Sequence, residues 1–554
     1  MTQKDSESRI KLNLQWINEL IGEDYKYWSD GSVIIIETQT GTGKTTFIKE
    51  VLVPFAIEAG KKILFICNRI NLRRQVTEDL LKVATGKEAG YSPKELDEIE
   101  LDGITIKSYQ KIQEEILNDK YNTGSGHAST IDIYDYIILD ECHYIFADSN
   151  FNNTTRLIFE KLIQTWHYNA VKIFITATAH EIKDSIRNYL SDRSRKITGL
   201  PWVYEHFNMR DYTTGTDYRY INSTKYFKNI NDIIATIQND MSDDKWIVFV
   251  SNIEKDGRVI EAALGEQAVF ITKDTESSNP ELQLIINEKR FSKKVLITTS
   301  TLDNGISIED ESVRHIAIMT WNEISFIQML GRRRVKINNA DKVNLYIHTR
   351  DSRSFRTLQT VYENKIKEIE LCNEDLNAFN RKYDNSPDGL GLLKELFYRH
   401  EATGEWTVNP IGADRLYSDK KFVERMIKRF QTDKKFAFVK EQLSWIGLED
   451  TFDESNLIEN VMPNTIRNER ESYLSSIYEK GTDGVMLMKA DRDELIEKIN
   501  IRDGNGRLFK SAKTLNSALE ELGSQFRIKS FETSRNGKSY KSAWRIIKQI
   551  PEEQ

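Results

Sequence analysis

A chain of 554 residues, 39% hydrophobic and 29% charged with a net charge of -7, carries enough apolar material for several cores, about 3–4 domains. That acidic balance excludes a surface that clings everywhere to polyanions, so a nucleic-acid partner has to meet a local basic track. No apolar run reaches membrane-spanning length, residues 1–7 lack the apolar core of a secretion signal, and Cys67, Cys142 and Cys372 share no disulfide or metal spacing. No membrane and a cytoplasmic location are therefore expected.

The first strong signal is Ile34-Ile35-Ile36-Glu37 running into Thr38-Gln39-Thr40-Gly41-Thr42-Gly43-Lys44-Thr45, followed by a helix-compatible stretch. An apolar strand, a Gly-rich loop and a helix start form a cradle for polyphosphate. The glycines let consecutive N–H groups aim at one centre, and the helix N-terminus and Lys44 add positive charge. The Thr45 hydroxyl is placed to ligate Mg²⁺. Thr40, Gly41, Thr42, Gly43, Lys44 and Thr45 are the expected nucleotide-binding residues, although Thr38 stands where the strict pattern has Gly.

Short apolar runs at 33–36, 63–66, 103–106, 136–139 and 173–175 alternate with helix-length segments, which predicts a parallel sheet covered on both faces. Ligands of such sheets sit beyond the carboxyl ends of the strands. There, Tyr136-Ile137-Ile138-Leu139 releases Asp140-Glu141-Cys142-His143. Asp140 is suited to hold Mg²⁺ and Glu141 to orient or deprotonate the water that attacks a γ-phosphate. The next strand ends in Thr176-Ala177-Thr178-Ala179, whose hydroxyls are expected to couple the carboxylates to a neighbouring domain.

These segments resemble motifs I, II and III of superfamily 2 helicases, with motif II in a DECH form of the DEAD/DEAH box. The resemblance implies ATP with Mg²⁺, and nucleic-acid contacts from two strand-end loops, one carrying Asn68 and Arg69 and the other Tyr109.

From about Lys245 the strand pattern restarts, with runs at 246–250, 294–297 and 343–347. The first, ending at Ser251-Asn252, resembles motif IV. The second leads through Thr298-Thr299 to Gly305-Ile306-Ser307-Ile308, which resembles motif V, with Ser307 where the family frequently has Asp. Ser251 and Thr299 are thereby placed on nucleic acid and Gly305 on the nucleotide. Gln328-Met329-Leu330-Gly331-Arg332-Arg333-Arg334, expected on a helix beside the cleft, resembles motif VI. Gln328 is assigned to the γ-phosphate or attacking water, Arg334 to the arginine finger and Arg332 to a second γ-phosphate contact, the two being exchangeable. A role in pairing with acidic neighbours suits Arg333 better.

Beyond the motor, residues 351–480 carry helical spacing, including 436–446 stopped by Gly447. The last segment has helices at 492–499 and 511–523, then strands at 526–531 and 543–547 joined through Arg535-Asn536-Gly537-Lys538. This order resembles a winged helix, and its local basic excess marks Lys513, Arg535 and Lys538 for phosphate contact. The expected fold class is α/β. Two tandem RecA-like domains (1–225 and 226–350) precede an α-helical accessory domain (351–480) and a small winged-helix-like domain (481–554). The expected partner is nucleic acid, DNA ahead of RNA, with replication or defence proteins as further partners.

Overall fold

The computed structural model describes residues 16–549 apart from 40, 68–73, 75–76, 79, 82–90, 92–94, 97–100, 123–133, 148–154, 167–168, 179–182, 184–185, 187–208, 300–306, 335–341, 384–392, 394, 401–402, 460, 462–463 and 502–506. Its first sheet comprises β1 (Val33–Glu37), β2 (Ile63–Cys67), β3 (Ile104–Ser108), β4 (Tyr136–Leu139), β5 (Val171–Thr176) and β6 (Met209–Thr213). Their order is β3-β2-β4-β5-β1-β6, and every pairing is parallel. The pleat explains the continuous apolar runs. Val33 and Ile35 enter one core with Leu64, Ile66, Ile137 and Leu139, while Ile34 and Ile36 enter the opposite core with Ile63, Phe65 and Ile138. Truncating one such residue to Ala costs about 2–5 kcal/mol. The strands that end at the motifs are therefore rigid supports.

The second sheet contains β7 (Ile221–Phe227), β8 (Lys245–Phe249), β9 (Ala268–Ile271), β10 (Val295–Thr298), β11 (Val313–Ile318) and β12 (Val343–His348). They lie in the order β7-β12-β11-β8-β10-β9, with parallel pairing among these six, and a two-residue strand, Leu457–Ile458, adds to the sheet at the β7 edge. Among the strands of the two sheets, β6, β7, β9 and β11 lie outside the apolar runs singled out in the sequence. β6 is an edge strand with exposed Asp211 and Thr213, so only part of it needs apolar side chains. β11 is central but carries Arg314 and His315 directly after its first residue, Val313. The His315 ring is accommodated by stacking on Trp246 at 4.2 Å and meeting the Tyr346 hydroxyl at 3.2 Å.

The accessory region has helices Ser352–Glu374, Leu376–Tyr383, Pro410–Asp433 and Ala437–Ser444, the last followed by Gly447 at φ +67°. It also carries an antiparallel hairpin, β13 (Phe397–Arg399) with β14 (Trp406–Val408), that the helical spacing does not predict. Tyr398 on this hairpin lies under the Arg156 guanidinium at 3.4 Å, against the first sheet's side of the molecule. Gln442, fully buried, donates to the Thr320 and His348 carbonyls, both at 3.3 Å, and fastens the accessory helices to the second sheet.

Contacts among the described residues divide the chain into two units, 1–228 with 243–457 and 229–242 with 458–554. The second unit holds helices Ile230–Asn239, Asn464–Glu479, Lys489–Ile499 and Ala512–Glu521, then the hairpin β15 (Phe526–Arg535) with β16 (Lys538–Lys548). Both strands run to the very turn, where Asn536 and Gly537 have φ +51° and +74°, the two positive angles a tight hairpin needs. Ser511 caps its helix by accepting from the Thr514 N–H. Met486 bridges to Trp544, and Leu474, Leu495, Leu515, Leu519, Phe526 and Trp544 share one core. All three thiols, Cys67, Cys142 and Cys372, are buried. No helix among the described residues is long and apolar enough to cross a membrane.

One pH dependence follows from the fold. Burial, then the Arg350 charge, pushes the His348 imidazole down to about 4, although its ring meets the Lys228 carbonyl at 3.2 Å. Between that value and about 6.5 the unfolded chain binds the proton and the folded chain does not, so stability falls as pH drops through this window. His348→Gln is expected to remove about 2 kcal/mol of that acid-side loss, read as a smaller shift of the urea midpoint between pH 7 and 4.5. Equal shifts in the two proteins contradict it.

Candidate active site

Central β1 delivers the chain into the Gly-rich loop, and the helical run Lys44–Phe47, Ile48–Leu52 and Val53–Glu58 begins directly after it. Gly41 and Gly43 have φ +92° and +84°, a left-handed backbone that turns successive N–H groups inward. At Gly43 space also matters, because an added Cβ would stand 3.3 Å from the Trp16 ring. The Thr42 hydroxyl donates to the Thr38 hydroxyl and the Gln39 carbonyl, both at 2.9 Å. Lys44 Nζ donates to the Thr38 carbonyl at 2.7 Å and the Gln39 carbonyl at 3.2 Å. Desolvation lowers the Lys44 pKa, Glu141 and Asp140 oppose that, and Arg334 reinforces it. Thr40 lies outside the described residues.

β4 ends beside the loop and presents Asp140 and Glu141. The Asp140 N–H is held by the Ile66 carbonyl at 2.9 Å, and the Cys142 N–H by the Ile175 carbonyl at 2.9 Å. Between these anchors Glu141 takes φ +48°, a left-handed angle that is costly for a residue with a Cβ. Its carboxylate lies 3.3 Å from His143 Nδ1. Desolvation pushes Glu141 up, but the His143 hydrogen bond and charge, then Lys44 and Arg332, prevail and hold it at about 2. Burial, with Glu141 beside it, pushes Asp140 the other way, to about 7. The two carboxyls thus have separate environments.

His143 was named in the sequence only as part of the motif, yet it joins two sites. Its Nδ1 also lies 3.1 Å from the Thr176 hydroxyl, which accepts from the Thr178 N–H at 3.1 Å. Thr176 and Thr178 are buried, and Ala177 between them packs on the core of the second sheet. The threonines therefore reach Glu141 through the imidazole.

The second sheet brings its own groups to the same place. Gln328 is on helix Glu323–Leu330, and its Nε2 approaches Glu141 Oε2 at 3.4 Å, a long hydrogen bond. Arg332 donates to Gln328 Oε1 at 3.0 Å. The arginines are not on that helix, which ends at Leu330. They lie in an extended stretch bridged to Ile308, with Ile308 N–H on the Arg332 carbonyl and Arg334 N–H on the Ile308 carbonyl, both at 2.8 Å. Arg334 Nε donates to Ser307 Oγ at 3.0 Å. Arg333 donates to the Val313 and Arg334 carbonyls. Sequence reasoning missed Ser307 as a partner of Arg334, and no spacing rule pairs the two.

Several expectations need correcting or lie beyond reach. Tyr109 is fully buried, its hydroxyl donating to the Asp140 carbonyl at 3.0 Å and its ring stacked on Tyr144 at 5.0 Å, so it supports the carboxylate strand and is not exposed to nucleic acid. Among aromatics near the loop, Trp28 and Tyr25 are committed to packing with Phe47, whereas Trp16 is 53% exposed beside Gly43. Ser251 is exposed and donates to the Met319 carbonyl, and Thr299 is half-buried. Asn68, Arg69 and Gly305 lie outside the described residues. Lys513, Arg535 and Lys538 are exposed and belong to the second unit.

A hard dication that keeps several waters and takes phosphate oxygens needs few protein ligands. The hydroxyl of Thr45 and the carboxylate of Asp140 are hard oxygen donors of that kind, so the residues present fit Mg²⁺. Such an ion would neutralise phosphate charge during transfer. No group of three or more His, Cys, Asp or Glu among the described residues forms a further metal site.

Residues 7–181 match the family model described as "Type III restriction enzyme, res subunit". No curated protein matches the sequence. Among solved structures, S. cerevisiae Dbp5 bound to RNA and ADP BeF3 is similar at 15% identity and TM-score 0.39, over 60% of this chain and 83% of that one. The DEAD-box helicase Mss116 bound to ssRNA and UDP-BeF is similar at 12% identity and TM-score 0.44, over 78% and 93%. A DEAD box protein from the hyperthermophile Methanococcus jannaschii gives 17% and 0.32, over 62% and 89%. The family match over residues 7–181, together with two RecA-like parallel sheets, supports a superfamily 2 helicase-like protein and with it a nucleic-acid-dependent ATPase class.

Proposed function

We propose that this ATPase hydrolyses ATP with Mg²⁺ to move along or unwind DNA. The observation that carries the reading is convergence: Gln328 and Arg332 from the second sheet meet Glu141 from the first, beside Lys44. A nucleotide held from both sides has different affinity for open and closed arrangements, which is what a driven cycle requires. The RecA-like lobes are 1–225 and 226–350, followed by an accessory domain at 351–480 and a winged-helix-like domain at 481–554. Replication of a mobile element or phage, or defence against one, is the setting. DNA is preferred over RNA because the matched family model is described as a restriction enzyme subunit.

The test compares ATPase rates with single-stranded DNA, duplex DNA and RNA, and strand displacement on forked substrates of each. Lys44→Ala is expected to abolish tight nucleotide binding, because it removes the ammonium beside the phosphate cradle. Stimulation by RNA but not DNA would replace the substrate, and stimulated ATPase without displacement would make the chain a switch that recruits partners. For the terminal domain, replacing exposed Lys513, Arg535 and Lys538 by Ala should reduce the slope of log affinity against log salt by about 2–3. An unchanged slope removes these contacts.

A further inference from the structure

The segment that joins the two sheets leaves the first through β6, which pairs with β1 up to Glu37↔Thr213. The Thr214 N–H then donates to the Glu37 carbonyl at 3.2 Å. From Tyr218 onward the chain belongs to the second sheet's side. Tyr218 is in that sheet's core, Tyr220 packs against it, and the Val343 N–H donates to the Tyr220 carbonyl at 3.0 Å. The stretch 214–217 is therefore the hinge, and Asp217 is its last residue before the second core.

Asp217 is gripped by the phosphate loop. The Gln39 side chain donates from Nε2 to the Asp217 carbonyl at 3.0 Å and accepts the Asp217 N–H on Oε1 at 2.6 Å. Gln39 is only 8% exposed, so both bonds are shielded from water. Its own carbonyl accepts from the Thr42 hydroxyl and the Lys44 ammonium. One residue thus touches the lysine of the phosphate cradle through its backbone and the hinge through its side chain. A phosphate competes for the same ammonium, so its arrival changes the load on Gln39.

We propose that Gln39 is a positioning residue that transmits nucleotide binding to the hinge, fixing the angle of the second sheet's groups over the phosphate loop through the Asp217 backbone. Coupling between sites requires such an element whose state both sites bias. Gln39 touches no reacting atom in this scheme. The inference rests on the motor reading above.

The test measures the affinity of the full chain for a fluorescent single-stranded DNA oligonucleotide with and without a non-hydrolysable ATP analogue, together with the analogue's own affinity and the stimulated kcat. Gln39→Ala is expected to reduce the nucleotide-dependent ratio of DNA affinities and kcat by about tenfold each, the scale of two shielded hydrogen bonds. Analogue affinity without DNA should stay within about threefold. Asp217→Ala keeps the backbone groups that Gln39 grips and should leave the ratio intact, although it breaks the ion pair with Arg219. Gln39→Glu keeps the acceptor but sets a carboxylate against the Asp217 carbonyl, and should behave like Gln39→Ala.

An unchanged ratio in Gln39→Ala, or an equal loss in Asp217→Ala, overturns the inference. So does a loss of analogue affinity beyond tenfold, which would mean that Gln39 merely shapes the loop. If the native chain itself has no nucleotide-dependent ratio, the motor reading fails first, and the two failures are distinguished.

Discussion

Glu141→Gln is expected to slow nucleic-acid-stimulated ATP hydrolysis by about 10³-fold while leaving ATP affinity within a few-fold. Gln preserves size and can still meet Gln328, but it loses the charge. That charge is well secured, since His143, Lys44 and Arg332 hold the carboxyl at about 2. Held in its charged form, Glu141 is a strong acceptor for a hydrogen bond from water. It suits orientation of the attacking water, and a loose phosphoryl-transfer transition state needs little early deprotonation. The left-handed backbone at φ +48° supports the same conclusion, because a strained angle fixed by two flanking hydrogen bonds aims the side chain. Single-turnover hydrolysis and equilibrium nucleotide binding check the prediction. Native turnover in the variant would remove Glu141 from the chemistry.

Arg334→Ala should cost about 10³ in stimulated rate, with little change in nucleotide affinity. Its guanidinium is directed by Ser307 and lies close enough to Lys44 and Glu141 for their charges to interact. Arg334→Lys should not rescue, because a point charge lacks the planar fork that spreads over several phosphate oxygens. Arg332 stands on Gln328 instead, so Arg332→Ala should lose rate partly by freeing that amide. If the larger loss follows Arg332→Ala and Arg334→Ala is mild, the finger and the second contact exchange roles.

Legibility from sequence followed burial. β1, β2 and β4 are covered on both faces, so their apolar runs were unambiguous and the loops they feed could be placed. β6, with two exposed polar residues, carries no such run, and in β11 Arg314 and His315 leave only the short run Ile316-Ala317-Ile318. Residue types at the cleft were readable, but orientation was not. Tyr109 follows a strand end, as a backbone-contacting residue would, and nothing in its neighbours states that its ring turns inward onto Tyr144. The pairing of Arg334 with Ser307 and of Gln39 with Asp217 needs tertiary geometry, since each joins positions far apart in the chain. The Asn-Gly turn was legible because its backbone angles are a local requirement.

The burial of Cys67, Cys142 and Cys372 has a practical consequence. Desolvation also raises the Cys142 and Cys372 thiols, so little reactive thiolate forms at neutral pH. Maleimide dyes should therefore pass over the native chain and attach only to cysteines introduced on the surface. Opening and closing can then be followed by single-molecule fluorescence in the unaltered background, without first stripping out sulfur.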